Sequence, residues 1–307
     1  MLELVERQGR EQIATVRVGR LADGSLLEFV DSVQPPVPRH EKWVLIVSTL
    51  KGCPVSCPMC DAGGGYGGRL SADEILAQID IMVDERYPDR DVPVGKLKIQ
   101  FARMGDPALN PAVLEVLERL PRRYRAPGLM PCISTIAPRG CGGFMDRLRD
   151  IKRRLYSDGR FQMQFSIHTT CPARRRELVP AATWSFGMMA SWGERFLDSG
   201  DRKITLNFAP VHGYPLEPHS LTEYFPPVSY MIKLTPVNPT ARALQAGIRG
   251  VIDPDRPERN QSLADEFAAA GYDVLISIGE LEENRIGSNC GMYVSRAEAG
   301  RPTESTD

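Results

Sequence analysis

Six apolar, β-rich segments separated by helix-like stretches limit the folds open to this chain. They are WVLIVST (43–49), KLKIQFA (96–102), MPCIST (130–135), FQMQFSI (161–167), KITLNFA (203–209) and VSYMIKLT (228–235). Repeated alternation of strand and helix makes neighbouring strands parallel and turns the helices into crossovers packed on the sheet. An α/β fold, a partial (β/α)6 barrel over residues 41–296, is therefore expected. The clearest helix spans 71–86, where Ser71 and Glu74 form a capping box and Ile75, Ile79, Met82 and Val83 give one apolar face. A further helix (260–270) and strand (273–278) close the core.

Residues 1–40 read as a small β-hairpin appendage. IATVRVG (13–19) and SLLEFVD (25–31) flank Asp23-Gly24, a strong hairpin signal, and QPPVP (34–38) links them to the core. The polar stretch 297–307 reads as a disordered tail. The charged start MLELVERQGREQ carries no apolar segment of a signal peptide, and no run approaches membrane-spanning length. A cytoplasmic protein with no membrane partner is expected. Seven cysteines in a reducing compartment then argue for metal or catalytic roles over disulfides. The formal net charge of −1 counts mildly against a nucleic-acid substrate, because phosphate neutralisation supplies most such affinity.

The spacing Cys53-x3-Cys57-x2-Cys60 follows directly on a predicted strand, at the end where α/β proteins place their chemistry. Three close thiolates suit three irons of a [4Fe–4S] cluster and leave the fourth iron open to chelate an amine and a carboxylate. Reductive cleavage of S-adenosyl-L-methionine (SAM) needs such an iron. A zinc site or buried structural thiols are the competing readings, although zinc would want a fourth ligand nearby and none follows.

With these residues in place the chain resembles the radical SAM superfamily, and more narrowly the RlmN/Cfr family, which methylates adenosine carbons in RNA. STLKGCPVSCPMC looks like the family's cluster loop, ARMGDPALN (102–110) its G-E-P-L-x-N segment, and CISTIAP (132–138) its L-S-T-S-G strand. FSIHTTCPARRRELVP (165–180), LTPVNP (234–239) and SNCGMY (288–293) resemble its remaining motifs, in order. The resemblance covers most of residues 13–294 and implies a radical SAM barrel, a [4Fe–4S] cluster on Cys53, Cys57 and Cys60, and methyltransferase activity.

It also implies roles. Gly105 and Asp106 would bind the SAM ammonium, with Asp106 one methylene shorter than the family's Glu. Ser134, Ser166, His168 and Asn238 would make further SAM contacts. Cys290 would be methylated by one SAM, and a second SAM would supply the radical that takes hydrogen from that methyl group before it joins an sp2 carbon. Glu28 would take the substrate proton, against the simpler reading of an exposed strand carboxylate. The substrate would be RNA or a small aromatic metabolite, and the electron would come from a reductant protein such as flavodoxin or ferredoxin.

Two departures qualify the likeness. The family's N-terminal helical RNA-binding domain has no counterpart in the residues given, and Ile46 stands where the family carries a resolving cysteine. Cys132, Cys141 and Cys171 are candidate substitutes, with Cys171 best placed. The G-x-G-x-x-G at Gly63, Gly65 and Gly68 follows a cysteine loop rather than a strand, so it reads as a loop over the site and not a dinucleotide fingerprint. Arg174, Arg175 and Arg176 read as a solvated charge run that could meet phosphate. Direct hydrogen abstraction from a small molecule without methyl transfer, and a non-catalytic degenerate scaffold, are the alternatives.

Overall fold

A computed structural model describes residues 2–33, 35–278 and 293–294. The chain opens with three antiparallel strands: β1 (Glu3–Arg10), β2 (Ala14–Arg20) and β3 (Leu26–Ser32). The hairpin expected around Asp23-Gly24 is the β2–β3 pair. Strand β1 has no apolar periodicity, because it is an edge strand exposed along most of its length, and the sequence does not announce it. Next come β4 (Lys42–Val47), the short β5 (Leu50–Lys51) and β6 (Gly68–Arg69), and helix α1 (Ala72–Asp84). Strand–helix alternation follows with β7 (Lys96–Phe101), α2 (Ala112–Arg123), β8 (Leu129–Thr135), α3 (Gly142–Leu155) and β9 (Gln162–Ser166). The series ends with α4 (Pro172–Leu178), α5 (Phe186–Phe196), β10 (Ile204–Phe208), α6 (Pro218–Thr222), β11 (Tyr230–Leu234), α7 (Ala241–Gln245), α8 (Gln261–Ala269) and β12 (Asp273–Ile276).

One sheet runs β1-β2-β3-β4-β7-β8-β9-β10-β11-β12 among the described residues. From β4 onward every neighbouring pair is parallel. The N-terminal strands continue this sheet: Val30, Asp31 and Ser32 pair antiparallel with Ile46, Leu45 and Val44. Arg17 of β2 strengthens the join, because its buried guanidinium binds Asp31 at 2.8 Å and Glu85, just past α1, at 2.5 Å.

Side chains alternate across each strand. One set, with Leu45, Ile99, Phe165, Leu206 and Ile232, is buried in the main core beneath the helices. Helix α1 shows why they dock there: its capping box satisfies the first turn, and Ile75, Ile79, Met82 and Val83 are all buried. The opposite set faces the hollow of the sheet. Lys233 of β11 feels the charges of Lys98 on β7 and Lys42 on β4. On a flat sheet β7 and β11 would stand about 19 Å apart, beyond the roughly 10 Å reach of screened charge, so the sheet curls.

Candidate active site

The loop between β5 and β6 carries Cys53, Cys57 and Cys60. It closes on itself through the β5–β6 pairing and a bridge between Cys53 and Gly63. Close backbone approach demands glycine at its entrance. Gly52 has φ 69°, and a Cβ there would stand 1.8 Å from the Gly65 carbonyl oxygen. The glycine run thus folds back on the cysteine loop. Asn110 holds the base, its amide donating to the carbonyls of Thr49 and Leu70 at 2.7 Å each.

A second clamp comes from the far end of the parallel series. Asp61 accepts the N–H groups of Ala241 (3.1 Å) and Arg242 (3.0 Å) at the start of α7. Thr240 donates to the Met59 carbonyl at 3.1 Å, and the Arg242 guanidinium donates to the Ser56 carbonyl at 3.2 Å. The segment after β11, which contains Asn238, is thereby tied to the cysteine loop. Asp61 and Arg242 carry no motif that would single them out in the sequence.

All three thiols are partly buried. Val55, Ile136 and Val179 form a small apolar cluster against Cys53 and Cys57. Burial pushes the Cys57 thiol up to about 12, with the Cys53 sulfur and Asp106 adding to the rise. Burial also raises Cys53, while backbone N–H groups of Val55, Ser56 and Asp106 point at its sulfur and oppose the rise. Thiols so placed lose their protons only to a cation that compensates the charge. Among the described residues no three His, Cys, Asp or Glu side chains converge on a single-ion site. The donor set suits a [4Fe–4S] cluster, a group larger than one ion, with thiolate ligands, an apolar cover and N–H donors to sulfur.

Asp106 caps the short helical turn Pro107–Leu109. Its carboxylate is buried and accepts from Ala108 N–H (2.9 Å), the Thr135 hydroxyl (2.7 Å) and Ile136 N–H (2.7 Å). Burial pushes it up to about 6 against the pull of those donors. Gly105, at φ 89°, packs so tightly on Leu50 that a Cβ would lie 2.4 Å from that side chain. Ser134 and Ser166 end β8 and β9, partly buried. His168 follows in the left-handed region (φ 68°), its Nδ1 accepting Ala209 N–H at 3.2 Å. Burial and the Arg175 charge push it down to about 4. Gly105, Asp106, Ser134, Ser166 and His168 all lie at the C-terminal ends of successive parallel strands, the same rim as the cysteine loop.

Arg175 departs from the solvated-run expectation. It is only 3% exposed, and it donates to the carbonyls of Ile136 (3.0 Å) and Ser166 (2.7 Å) and to the Thr183 hydroxyl (2.7 Å). The i, i+3 pair of Arg174 with Glu177 at 2.6 Å is a surface pair, as expected of a charge run.

Glu28 is not an exposed strand carboxylate. It is fully buried, one oxygen accepting from Arg103 Nε at 2.8 Å and the other from the N–H groups of Tyr293 and Val294 at 2.8 Å each. Cys290 lies outside the described residues. Cys132 shares an inward row with Ile46, two strands away through Gln100, and accepts a hydrogen bond from Gln164 at 3.1 Å. Cys141 is buried at the start of α3, and Cys171 is partly buried at the start of α4. No helix among the described residues is long and apolar enough to cross a membrane.

No family model matches the chain. It is 27% identical over 280 residues to a probable dual-specificity RNA methyltransferase RlmN of Synechococcus sp., covering 86% of this chain and 75% of that protein. Proteins of the same name from Desulfitobacterium hafniense and Trichodesmium erythraeum are 28% and 23% identical, covering 93% and 95% of this chain and 78% and 83% of their own lengths. In structure it is similar to a radical SAM methyltransferase from Sphaerobacter thermophilus, with TM-score 0.73 and 20% identity over 95% of this chain and 80% of that one. It is less similar to Streptococcus suis SuiB bound to S-adenosylmethionine, with TM-score 0.51 and 12% identity over 76% of this chain and 50% of that one.

Proposed function

We infer that this chain, similar in sequence to RlmN proteins and in fold to a radical SAM methyltransferase, is a radical SAM enzyme with a [4Fe–4S] cluster on Cys53, Cys57 and Cys60. The observation that carries this reading is the cysteine loop: three partly buried thiols at the C-terminal rim of a parallel sheet, with an apolar cover on Cys53 and Cys57 and backbone N–H groups facing the Cys53 sulfur. When bound, the cluster supplies the electron that splits SAM and starts carbon-radical chemistry.

The chain's own residues then have distinct tasks. Asp106 holds the ends of β7 and β8 together beside Cys53, leaving the backbone of Gly105 at the rim to meet the SAM ammonium. Ser134, Ser166 and Asn238 offer hydroxyl and amide groups to ribose and carboxylate. His168 is neutral at pH 7, and because its Nδ1 accepts, its proton rests on Nε2, ready to donate. Arg175 positions Ser166 and the strand end at Ile136. Glu28 acts as a positioning residue: both its oxygens are engaged, and they grip the backbone three residues beyond Cys290.

Methylation of an sp2 carbon of RNA or of a small aromatic metabolite, through a methylated Cys290, is the finer reading. Direct hydrogen abstraction from a small molecule is the second, and Ile46 in the resolving position favours it. Anaerobic reconstitution with iron, sulfide, SAM and reductant tests both. The expected products are 5′-deoxyadenosine and, for the first reading, a methyl group on Cys290 seen by peptide mass spectrometry. Unmodified Cys290, with deuterium passing from substrate into 5′-deoxyadenosine, would decide for the second. No SAM cleavage by cluster-replete protein would remove both.

A further inference from the structure

The concave face of the sheet is unusually basic. Lys42 and Lys96 are register partners at the start of β4 and β7, and Lys98 lies one inward position further along β7. Lys233 projects from β11 across the hollow and shares its electrostatic environment with Lys98 and Lys42. Burial, together with those two lysines, pushes Lys233 down to about 8. Among the described residues no carboxylate forms an ion pair with Lys96, Lys98 or Lys233. Lys203, just before β10 and so at the end of the sheet opposite the cysteine loop, does find Asp273, at 2.7 Å. Like charges gathered in a partly enclosed hollow repel one another and raise the local potential toward anions. Asn207, the register neighbour of Lys233, has a buried Oδ1 with no hydrogen-bond partner, so the polar surroundings are incomplete as well.

We propose that this hollow is a subsite for the anionic group, carboxylate or phosphate, of a small-molecule substrate, held chiefly by Lys98 and Lys233. As a substrate subsite it rests on the radical SAM reading; as an anion site it stands on the lysines alone. Lys98 is three residues below Phe101, the last residue of β7, which puts the floor of the hollow about 10 Å beneath the rim where the cysteine loop stands, while Lys233, next to the last residue of β11, stands nearer that rim. A molecule of metabolite size spans that depth, with its anionic end on the floor and its reacting carbon near the rim. The backbone phosphates of an RNA held at the rim would remain outside.

Isothermal titration of the cluster-loaded chain with inorganic phosphate and, separately, with succinate tests the site. Binding of one or both is expected, weakened at least tenfold in Lys98→Gln and in Lys233→Gln. Phosphate alone identifies a phosphate ester, and succinate alone a carboxylate. A second readout needs no variant: the bound anion should protect Lys98 and Lys233 from acetylation, scored by peptide mass spectrometry, while exposed lysines still react. The proposal is overturned if neither anion binds, if binding and protection do not involve these lysines, or if only an RNA oligonucleotide binds in a manner that depends on them. SAM cleavage is measured apart, on the unaltered chain. Anion binding without cleavage removes the radical reading, and cleavage without anion binding removes the subsite.

Discussion

Glu28 and Arg103 form a buried ion pair joining β3 to the end of β7, and the same carboxylate receives the N–H groups of Tyr293 and Val294. Removing one partner strands the other charge in the interior. Glu28→Ala is therefore expected to destabilise the chain by about 3–5 kcal/mol. Replacing both residues by apolar ones of similar size should cost less than either single change. Thermal melts of the singles and the double check this. The rate at which a maleimide labels Cys290 should rise in Glu28→Gln, since the grip beyond that cysteine is loosened; an unchanged rate would separate Glu28 from the C-terminal segment.

Gly52→Ala is expected to abolish cluster loading. The Cβ would meet the Gly65 carbonyl at 1.8 Å, and φ of 69° adds backbone strain. Gly24→Ala is the control: φ is 85° there too, but no atom lies within 4 Å of the Cβ position. That variant should lose only about 1 kcal/mol and keep its iron. Iron and sulfide content after reconstitution distinguishes the two.

Arg175→Met should destabilise by about 2–4 kcal/mol, because it leaves two buried carbonyls and a hydroxyl without their donor. Arg174→Ala should stay within roughly 0.5 kcal/mol, as its ion pair with Glu177 is on the surface. Equal effects at the two positions would contradict the burial of Arg175. Denaturant midpoints suffice for the comparison.

His168 gives a pH dependence of known sign. Its folded value is pushed down to about 4, while an unfolded histidine titrates near 6.5. Below about 6.5 the unfolded chain takes up a proton that the folded chain refuses. The contribution is fully present above that pH and is lost as pH falls toward 4, by at most about 3 kcal/mol. His168→Gln should flatten this part of the stability curve. Nitrogen NMR of the imidazole should show a neutral ring with its proton on Nε2 at pH 7.

Much of the fold is legible in the sequence because parallel strands buried under helices are dense in apolar residues. The six segments fall within a residue or two of β4, β7, β8, β9, β10 and β11, and the Ser71–Glu74 capping box forms as read. Strand β1 escapes because it is exposed along most of its length, and its two apolar residues, Leu4 and Val5, are adjacent and so mark no single face. The cysteine spacing is local and therefore visible, whereas its clamp joins Asp61 to Arg242 across 181 positions, a relation no local pattern encodes. Arg175 looks like its neighbours in a run of three arginines, and only the helix phase of α4 decides which one turns inward. The lysines of the hollow leave a faint trace in the alternation of KLKIQF, but their meeting across the curl depends on strands far apart in the chain.

The antiparallel pairing of β3 with β4 bears on trimming the protein. Cutting away the first three strands would strip β4 of its neighbour and bare a row of unsatisfied amide and carbonyl groups beside the cysteine loop. Such a row recruits foreign chains. A shortened version beginning near residue 41 would thus be adhesive, and soluble preparations should keep the whole N-terminal ribbon.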